Sequence, residues 1–375
     1  MNSLVVLVSC SRFIAALVHC PELLLVGRFL ASILTGVLFP TLITFLQESA
    51  PTRIRGALSA ASEIMFSLMG LIGFAISLPS ILGSDVRLLF GIPIIVAVIA
   101  VLILIPLHET PKFLLIERND RDAAIKSIKF YHGKHANVEQ VLQNIEIEAK
   151  EEEEKSSYIE ILKTPYLRKA VLIGVVLLQV VVPAWGMFVK GTVFSQKAGF
   201  SEIEAGNVQT IAGFTFFLGT WMCAFTVEKL GRRPLVLTFT IGTTIPVILF
   251  MIFGLLQANV SWFKYLCAVC LTSYLFLYGG IGTIAWFFMT ELVPQHHRTY
   301  VQAICNFVHI YIVFGLMFAL DALLKAISLW AFIPLYIVPN IFCFIFLYFN
   351  MPETKNKEIY EIVRKLRGDQ KNIDY

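Results

Sequence analysis

Long apolar runs alternate with short polar connections along almost the whole chain. A helix that spans the hydrocarbon core of a bilayer needs about 20 mostly apolar residues, and ten runs of suitable length stand out. They cover residues 4–20, 22–46, 57–82, 87–107, 167–189, 205–227, 234–257, 263–290, 300–324 and 328–350. The pattern predicts an all-α membrane protein with about ten spanning helices.

A polar block separates the fourth apolar run from the fifth. Its apolar residues recur at helical spacing, first at Ala124, Ile125 and Ile128, which favours short amphipathic helices outside the bilayer. The sequence therefore divides into four predicted segments. In order, they are a half with four spans, a cytoplasmic helical linker, a half with six spans and a polar cytoplasmic tail, at residues 1–107, 108–165, 166–350 and 351–375.

Composition supports a bilayer environment and argues against several soluble functions. Hydrophobic residues make up 57% of the chain and charged residues 15%, whereas a soluble domain carries about 25% charged residues. A formal net charge of +4, without a basic patch, does not suggest a nucleic-acid partner. We recognise no nucleophile–base pair or phosphate-binding loop, so we expect neither an enzyme nor a bound cofactor.

Seven cysteines lie in or beside the apolar runs. Cys267 and Cys270 have the spacing of a redox or metal-binding motif, but no second Cys or His pair stands at ligand spacing. Buried free thiols are the simpler interpretation, and we predict no metal site.

The polar linker sets the expected topology. A polar segment of this length is expected to stay in the cytoplasm, and an even number of spans then puts both chain ends on that side. The loops that contain Arg55, Arg232 and Arg298 fall on the cytoplasmic side as well. Short loops on the other side also carry lysines, so the count of basic residues alone does not decide the orientation.

Two pairs of motifs indicate an internal duplication. Glu48-x-x-Pro51-x-x-x-Arg55 and Glu291-x-x-Pro294-x-x-x-Arg298 are 243 residues apart. Glu109-Thr110-Pro111-Lys112 and Glu353-Thr354-Lys355 are 244 residues apart. Two motifs that recur at nearly one offset predict two related halves, which is a known architecture of transporters.

The duplication predicts that the chain is incomplete as a transporter. The second half has six predicted spans and the first has four. The loop at residues 228–233 should have a counterpart about 243 residues earlier, which would lie before Met1. We therefore expect two spans and a Gly-Arg-rich loop to be missing from the first half.

The ordered set of motifs resembles the sugar porters of the major facilitator superfamily, a group that includes the animal facilitative glucose transporters. The matching pieces are Gly27-Arg28-Phe29, Glu48 to Gly56, His108 to Leu115, Glu228 to Pro234, Trp286 to Pro294 and Pro352 to Lys355. The resemblance implies a two-half, twelve-helix bundle of which this chain has the third to twelfth helices. It also implies alternating access and a plasma-membrane location.

The resemblance further implies a cytoplasmic gate. In this family, charge pairs between the Arg and Glu motifs hold the inner side closed, and such pairs can form a bistable latch. The implied gate residues are Glu48, Arg55, Glu228, Arg232, Arg233, Glu291 and Arg298. Simple anchoring of the topology is an equally good interpretation for Arg232 and Arg233.

The solute site departs from the family pattern. Where glucose carriers have Gln-Gln-x-x-Gly-x-Asn, this chain has residues 179–185, and only the first Gln remains. An Asn of the eleventh helix falls on His309, and one of the eighth helix falls near Phe216. The candidate substrate-binding residues are Glu63, which occupies a Gln position, together with Gln179, Trp286 and His309. Structural roles stay open for three of them: Glu63 paired with a polar group in the bundle, His309 as a hydrogen-bonded interior histidine, and Trp286 in packing.

Two functions remain open from the sequence. One is a solute transporter of sugar-porter type, for a hexose or another small polar solute, whose substrate need not be glucose. The other is a transport-incompetent membrane homologue with a binding or regulatory role, or an incomplete gene model. The missing helices favour the second function, whereas the intact gate motifs favour the first.

Overall fold

The computed structural model describes residues 2–133, 137–152, 158–257, 259–355 and 359–367. Within these ranges the chain is helical and contains no strand, which confirms the all-α prediction. The helices are α1 (Asn2–Val18), α2 (Pro21–Ser49), α3 (Thr52–Ile76), α4 (Val86–Leu104), α5 (Arg121–His132), α6 (Val138–Glu152), α7 (Tyr158–Lys163), α8 (Pro165–Val180), α9 (Val182–Lys197), α10 (Glu202–Leu230), α11 (Arg232–Leu256), α12 (Phe263–Glu291), α13 (Gln295–Ile327), α14 (Val338–Asn350) and α15 (Ile359–Arg367).

The helices account for the apolar runs of the sequence. In the described part of the chain, eight helical stretches are long and apolar enough to cross a membrane. Two shorter apolar helices, Leu4–Val18 and Ala61–Ile76, coincide with the first and third predicted runs. The chain is therefore a multi-pass membrane protein.

The first of two compact units consists of residues 1–65 and 75–153. In its membrane part, α1 packs against α2 and α4. In the linker, Leu114, Ala124, Ile128 and Leu142 form a small apolar core. Ala124 and Ile128 lie on α5 and Leu142 on α6, and these two are the amphipathic helices expected from the polar block.

The second unit consists of residues 66–74 and 154–375. Its most extensive packing joins α12 to α10 and α11. Helices α10 and α12 approach each other backbone to backbone, because a Cβ added at Gly219 would lie 1.9 Å from the carbonyl oxygen of Phe276. Small residues at a crossing allow this closeness in membrane helices.

The predicted run 167–189, which corresponds to the seventh helix of the sugar porters, forms two helices instead of one. The helical stretch also extends beyond residue 189. Helix α8 stops at Val180, α9 starts at Val182, and the helical stretch continues to Lys197. Pro183 explains the break, since it has no backbone N–H and constrains the residue before it. Lys190, which follows the predicted run directly, consequently lies within α9 and not in a loop.

Candidate functional site

Side chains from three segments meet at Glu291, the last residue of α12. Arg232, the first residue of α11, donates from Nη2 to Glu291 Oε1 over 3.1 Å. The hydroxyl of Thr354, in the tail, donates to the other carboxylate oxygen of Glu291. Two predicted gate residues, Arg232 and Glu291, are thus brought together within the second unit.

The neighbouring carboxylate of Glu353 caps the N-terminus of α11. It accepts hydrogen bonds of 3.0 Å from the backbone N–H groups of both Arg232 and Arg233. It also accepts from the backbone of Thr354 and Lys355, over 3.0 and 2.9 Å. The positive end of a helix dipole and its unpaired N–H groups favour an anion at this position.

Gly231 makes the cap possible. Its φ of 90° is one that residues with a side chain rarely adopt, and a Cβ there would lie 2.8 Å from Glu353 Oε2. The loop is held further by Arg233, whose Nη2 donates to the carbonyl oxygen of Tyr348 over 2.7 Å. Lys355 Nζ donates to the carbonyl oxygen of Lys229 over 2.6 Å. We call residues 229–233, 291 and 353–355 the tail cluster.

Acid is expected to weaken the tail cluster through Glu353. Burial alone raises the pKa of this carboxyl, but the backbone hydrogen bonds outweigh it and hold the pKa below the ordinary 4.5. A lowered pKa in the folded state contributes stability above about pH 4.5, and this contribution is lost as the pH falls through the folded-state value. Hydrogen exchange at the amides of Arg232 and Arg233 should therefore accelerate in acid relative to the intrinsic rate. Glu353→Gln should remove most of that pH dependence, and an unchanged pH profile in the variant would contradict the assignment.

The first unit repeats one contact of the tail cluster. Thr110 Oγ1 donates to Glu48 Oε2 over 2.7 Å, as Thr354 does to Glu291 in the second unit. The two glutamates are 243 residues apart and the two threonines 244. The duplication read from the motifs therefore extends to a side-chain contact.

Three predicted gate residues, Arg55, Glu228 and Arg298, provide no test of a gate. The side chains of Arg55 and Glu228 lie outside the part of the chain that the structure describes. Arg298 is half-buried in the first turn of α13. A gate role for all seven residues therefore stays a prediction.

Two predicted solute-site residues of the second unit meet in its interior. His309, on α13, is fully buried, and the Trp286 ring on α12 lies edge-on to it at a centroid distance of 5.4 Å. Trp185 Nε1 donates to His309 Nε2 over 3.2 Å. Trp185, which follows the break between α8 and α9, was not predicted as a site residue. Gln179 turns back to its own helix, where its amide donates to the carbonyl oxygen of Val175 over 3.3 Å.

An aromatic cluster continues from Trp185 along α9. The rings of Phe188, Phe216 and Tyr278 lie 5.0 to 5.6 Å apart in all three pairs. Phe74 stacks on Phe188 at 6.2 Å. The family resemblance predicts an amide near Phe216, but in this chain Phe216 packs against the aromatic rings of Phe188 and Tyr278.

Glu63, the fourth predicted solute-site residue, belongs to the first unit. It lies half-buried on α3, within the apolar stretch Ala61–Ile76. An ionisable group at this depth is costly and is a functional candidate by default.

Two ion pairs of the second unit were not predicted. Lys190 on α9 contacts Asp321 on α13 at 2.9 Å, and Lys264 contacts Glu204 at 3.5 Å. The sequence contained a partial indication of these pairs, because a lysine within an apolar run needs a partner of opposite charge.

Within the described residues there is no group of three or more His, Cys, Asp or Glu side chains that could hold a metal.

Comparison with known proteins identifies the family. The model of the family described as "Sugar (and other) transporter" matches residues 1–366. This chain belongs to the sugar transporter family. It is 30% identical to facilitated glucose transporter member 1 of Gallus gallus over 92% of this chain and 71% of that protein. It is 28% identical to member 3 of Mus musculus over 98% of this chain and 75% of that protein.

Solved structures agree with the fold. The xylose transporter XylE from E. coli, in a partially occluded inward-open conformation, superposes with a TM-score of 0.71 at 18% identity. That match covers 90% of this chain and 72% of XylE. XylE bound to 6-bromo-6-deoxy-D-glucose gives a TM-score of 0.69 at 18% identity over 96% of this chain and 82% of XylE. The predicted major facilitator-type fold and sugar-porter family are confirmed, and the family consists of transporters rather than enzymes.

Proposed function

We propose that this sugar transporter family member moves a small polar solute across the plasma membrane by alternating access, with both termini in the cytoplasm. The tail cluster is the observation that carries the proposal. It joins the α10–α11 loop, the end of α12 and the tail through ionic and charge-assisted hydrogen bonds. Interactions of this kind can be made in one conformation and broken in another, so that solute binding can bias their equilibrium.

Glucose is a poor candidate for the transported solute. The relatives are named for glucose transport, but recognition of a hexose depends on hydrogen-bonding partners for its hydroxyl groups. Here Trp185 and His309 are bonded to each other, and Gln179 is bonded to its own helix. A polar solute loses affinity steeply when its hydroxyl groups find no partner. We therefore propose a small solute with fewer hydroxyl groups.

Counterflow in proteoliposomes tests the proposal. The full chain is reconstituted, and accelerated entry of labelled solute is measured for glucose, xylose and small amine-bearing compounds. We expect counterflow for at least one solute and weak or no counterflow for glucose. If no solute shows counterflow while the protein is correctly inserted, the transport-incompetent alternative replaces this proposal.

Topology is tested independently of transport. A tag at the C-terminus is expected to be protected from an added protease in intact cells and cleaved after permeabilisation, because the tail cluster and the linker are assigned to the cytoplasm. A tag inserted at the exposed Val260, in the α11–α12 connection, provides the matched control and should be cleaved from outside. Cleavage of the C-terminal tag in intact cells would refute the topology.

A further inference from the structure

Two lysines of α9 contact the C-terminal end of α13. Lys190 Nζ lies 2.9 Å from Asp321 Oδ1 and 3.0 Å from Asp321 Oδ2, so one ammonium group contacts both carboxylate oxygens. Lys197 Nζ donates to the carbonyl oxygen of Leu324 over 3.3 Å. Lys197 follows Lys190 by seven residues, which is about two helical turns, so both lysines project from one side of α9. We call these four residues the lysine clasp.

The C-terminal end of α13 is suited to bind cations. The helix ends at Ile327, so Leu324 belongs to its last turn, where carbonyl oxygens find no partner further along the helix. Lysine side chains can bond such carbonyls, and the negative end of the helix dipole attracts them. Asp321, one turn earlier, adds a full negative charge. The clasp therefore joins two cations of α9 to a carboxylate and a helix end of α13.

The opposite end of α9 is not continuous with α8. Helix α8 ends at Val180 and α9 begins at Val182, and Pro183 has no backbone N–H to contribute here. The N–H of Ala184 bonds to the carbonyl oxygen of Val181 over 3.2 Å, three residues back instead of four. A break of this kind can absorb a change of angle between two helices. The position of α8 therefore does not fix the far end of α9.

The contacts of α9 between the break and the clasp are close but poorly bonded. A Cβ added at Gly186 would collide with the Tyr336 hydroxyl, and one added at Gly191 would collide with the Gln209 side chain. Gln209 Nε2 donates to the carbonyl oxygen of Met187 over 3.3 Å. In the described part of the chain, however, Gln209 Oε1 and the Tyr336 hydroxyl oxygen are buried without a hydrogen-bond partner. Buried polar atoms without a partner are costly, so they favour movement of α9 away from them.

We infer that the lysine clasp holds α9 in place, and that opening of the clasp lets α9 swing about the break at Val181. The clasp stabilises the position of α9, and the two unbonded oxygens of Tyr336 and Gln209 oppose it. An element with such opposing contributions can be shifted between two positions by a bound solute. The use of this movement in transport rests on the proposed function, whereas the clasp itself belongs to the second unit alone.

Labelling of a buried thiol on α9 provides the main test. Ser195 lies between the two lysines and is 1% exposed, and Ser195→Cys exchanges only oxygen for sulfur. The purified full chain in detergent, with the three half-buried cysteines replaced, is treated with a charged thiol reagent. We expect Asp321→Asn to speed labelling at least threefold; the pair with Lys190 is partly exposed, which limits its contribution. Lys190→Gln combined with Lys197→Met should speed it at least tenfold.

A second ion pair of the same unit supplies the matched control. Lys264 and Glu204 lie 3.5 Å apart with side-chain exposures of 20% and 47%, close to the 27% and 53% of the clasp pair. Lys264→Gln should therefore leave the labelling rate of Ser195→Cys unchanged. Equal acceleration in Lys264→Gln would show a general loosening of the unit and would overturn the inference.

A charge exchange separates the ion pair from ordinary packing. Lys190→Asp and Asp321→Lys should each speed labelling, and the two changes together should return the rate close to that of the wild type. Labelling that stays slow in Asp321→Asn, or an exchange variant that labels as fast as the single reversals, contradicts the clasp. If these variants do not fold, the milder Lys197→Met removes one contact and should still speed labelling about threefold, and an unchanged rate there also contradicts the clasp. Labelling requires no transport, so failure of the proposed function appears separately, as absent counterflow.

Discussion

Replacing Glu291 with alanine is expected to shift the balance between inward-open and outward-open states by about tenfold. The change leaves the Arg232 guanidinium and the Thr354 hydroxyl without their shared acceptor. Hydrogen bonds to charged groups contribute about 1.5–3 kcal/mol, and about 1.4 kcal/mol corresponds to a factor of ten. The Arg232 and Glu291 side chains are 21% and 27% exposed, which favours the lower end of that range.

The direction of the shift follows from the gate role. If the tail cluster holds the inner side closed, its loss favours the inward-open state and shields the outer cavity. A cysteine at the half-buried position Thr192, in the C-terminal half of α9, which the proposed topology puts on the outer side, can report this change. Its labelling by a membrane-impermeant reagent should slow in Glu291→Ala, in a background without the half-buried Cys10, Cys20 and Cys343.

An exposed ion pair in the linker supplies the control. Arg121 and Glu139 also form a salt bridge, but their side chains are 54% and 66% exposed. Pairs this exposed contribute little, so Glu139→Ala should leave the labelling rate at Thr192→Cys unchanged. Equal rates in Glu291→Ala and the wild type would show that the tail cluster anchors the loop without gating.

The helices and the duplication could be predicted because both depend on local sequence. Apolar runs of spanning length locate α1 to α4 and α8 to α14, since each run must satisfy its own backbone inside the bilayer. Pro183 carries a local signal for the break before α9 that our assignment of the run to residues 167–189 overlooked. The repeated Glu and Thr motifs also predicted that the two halves have equivalent positions. The contact of Glu48 with Thr110 and the contact of Glu291 with Thr354 agree with this prediction.

The solute site could be predicted only in part because its contacts are made between distant residues. His309 and Trp286 were recognised from their places in family motifs. At Trp185 the sequence showed only that the amide of the family motif is absent. The bond from Trp185 to His309 could not be predicted, because it depends on how α9 and α13 pack. Periodicity reports which face of a helix is buried, but it does not report which side chain lies opposite.

Uptake of the transported solute is expected to fall at least tenfold when Glu63 is replaced by glutamine. The carboxylate lies half-buried on α3, inside an apolar stretch of the first unit. A charge at that depth is retained at a cost, which makes a role in solute or ion movement the default hypothesis. Glutamine keeps the size and the hydrogen-bonding capacity of the side chain while removing the charge and the titratable proton.

Solute selectivity and the response to a proton gradient distinguish two ways in which Glu63 can act. If its negative charge attracts a cationic or amine-bearing solute, the wild type should discriminate against neutral analogues of that solute. If a proton moves with the solute, an inward proton gradient should drive accumulation, and Glu63→Gln should abolish the accumulation while leaving exchange. Glu22→Gln provides the matched control, because Glu22 lies exposed in the first turn of α2. Rapid glucose uptake that is unaffected by Glu63→Gln would refute the prediction, since the solute would then be recognised without the carboxylate and in spite of the paired Trp185 and His309.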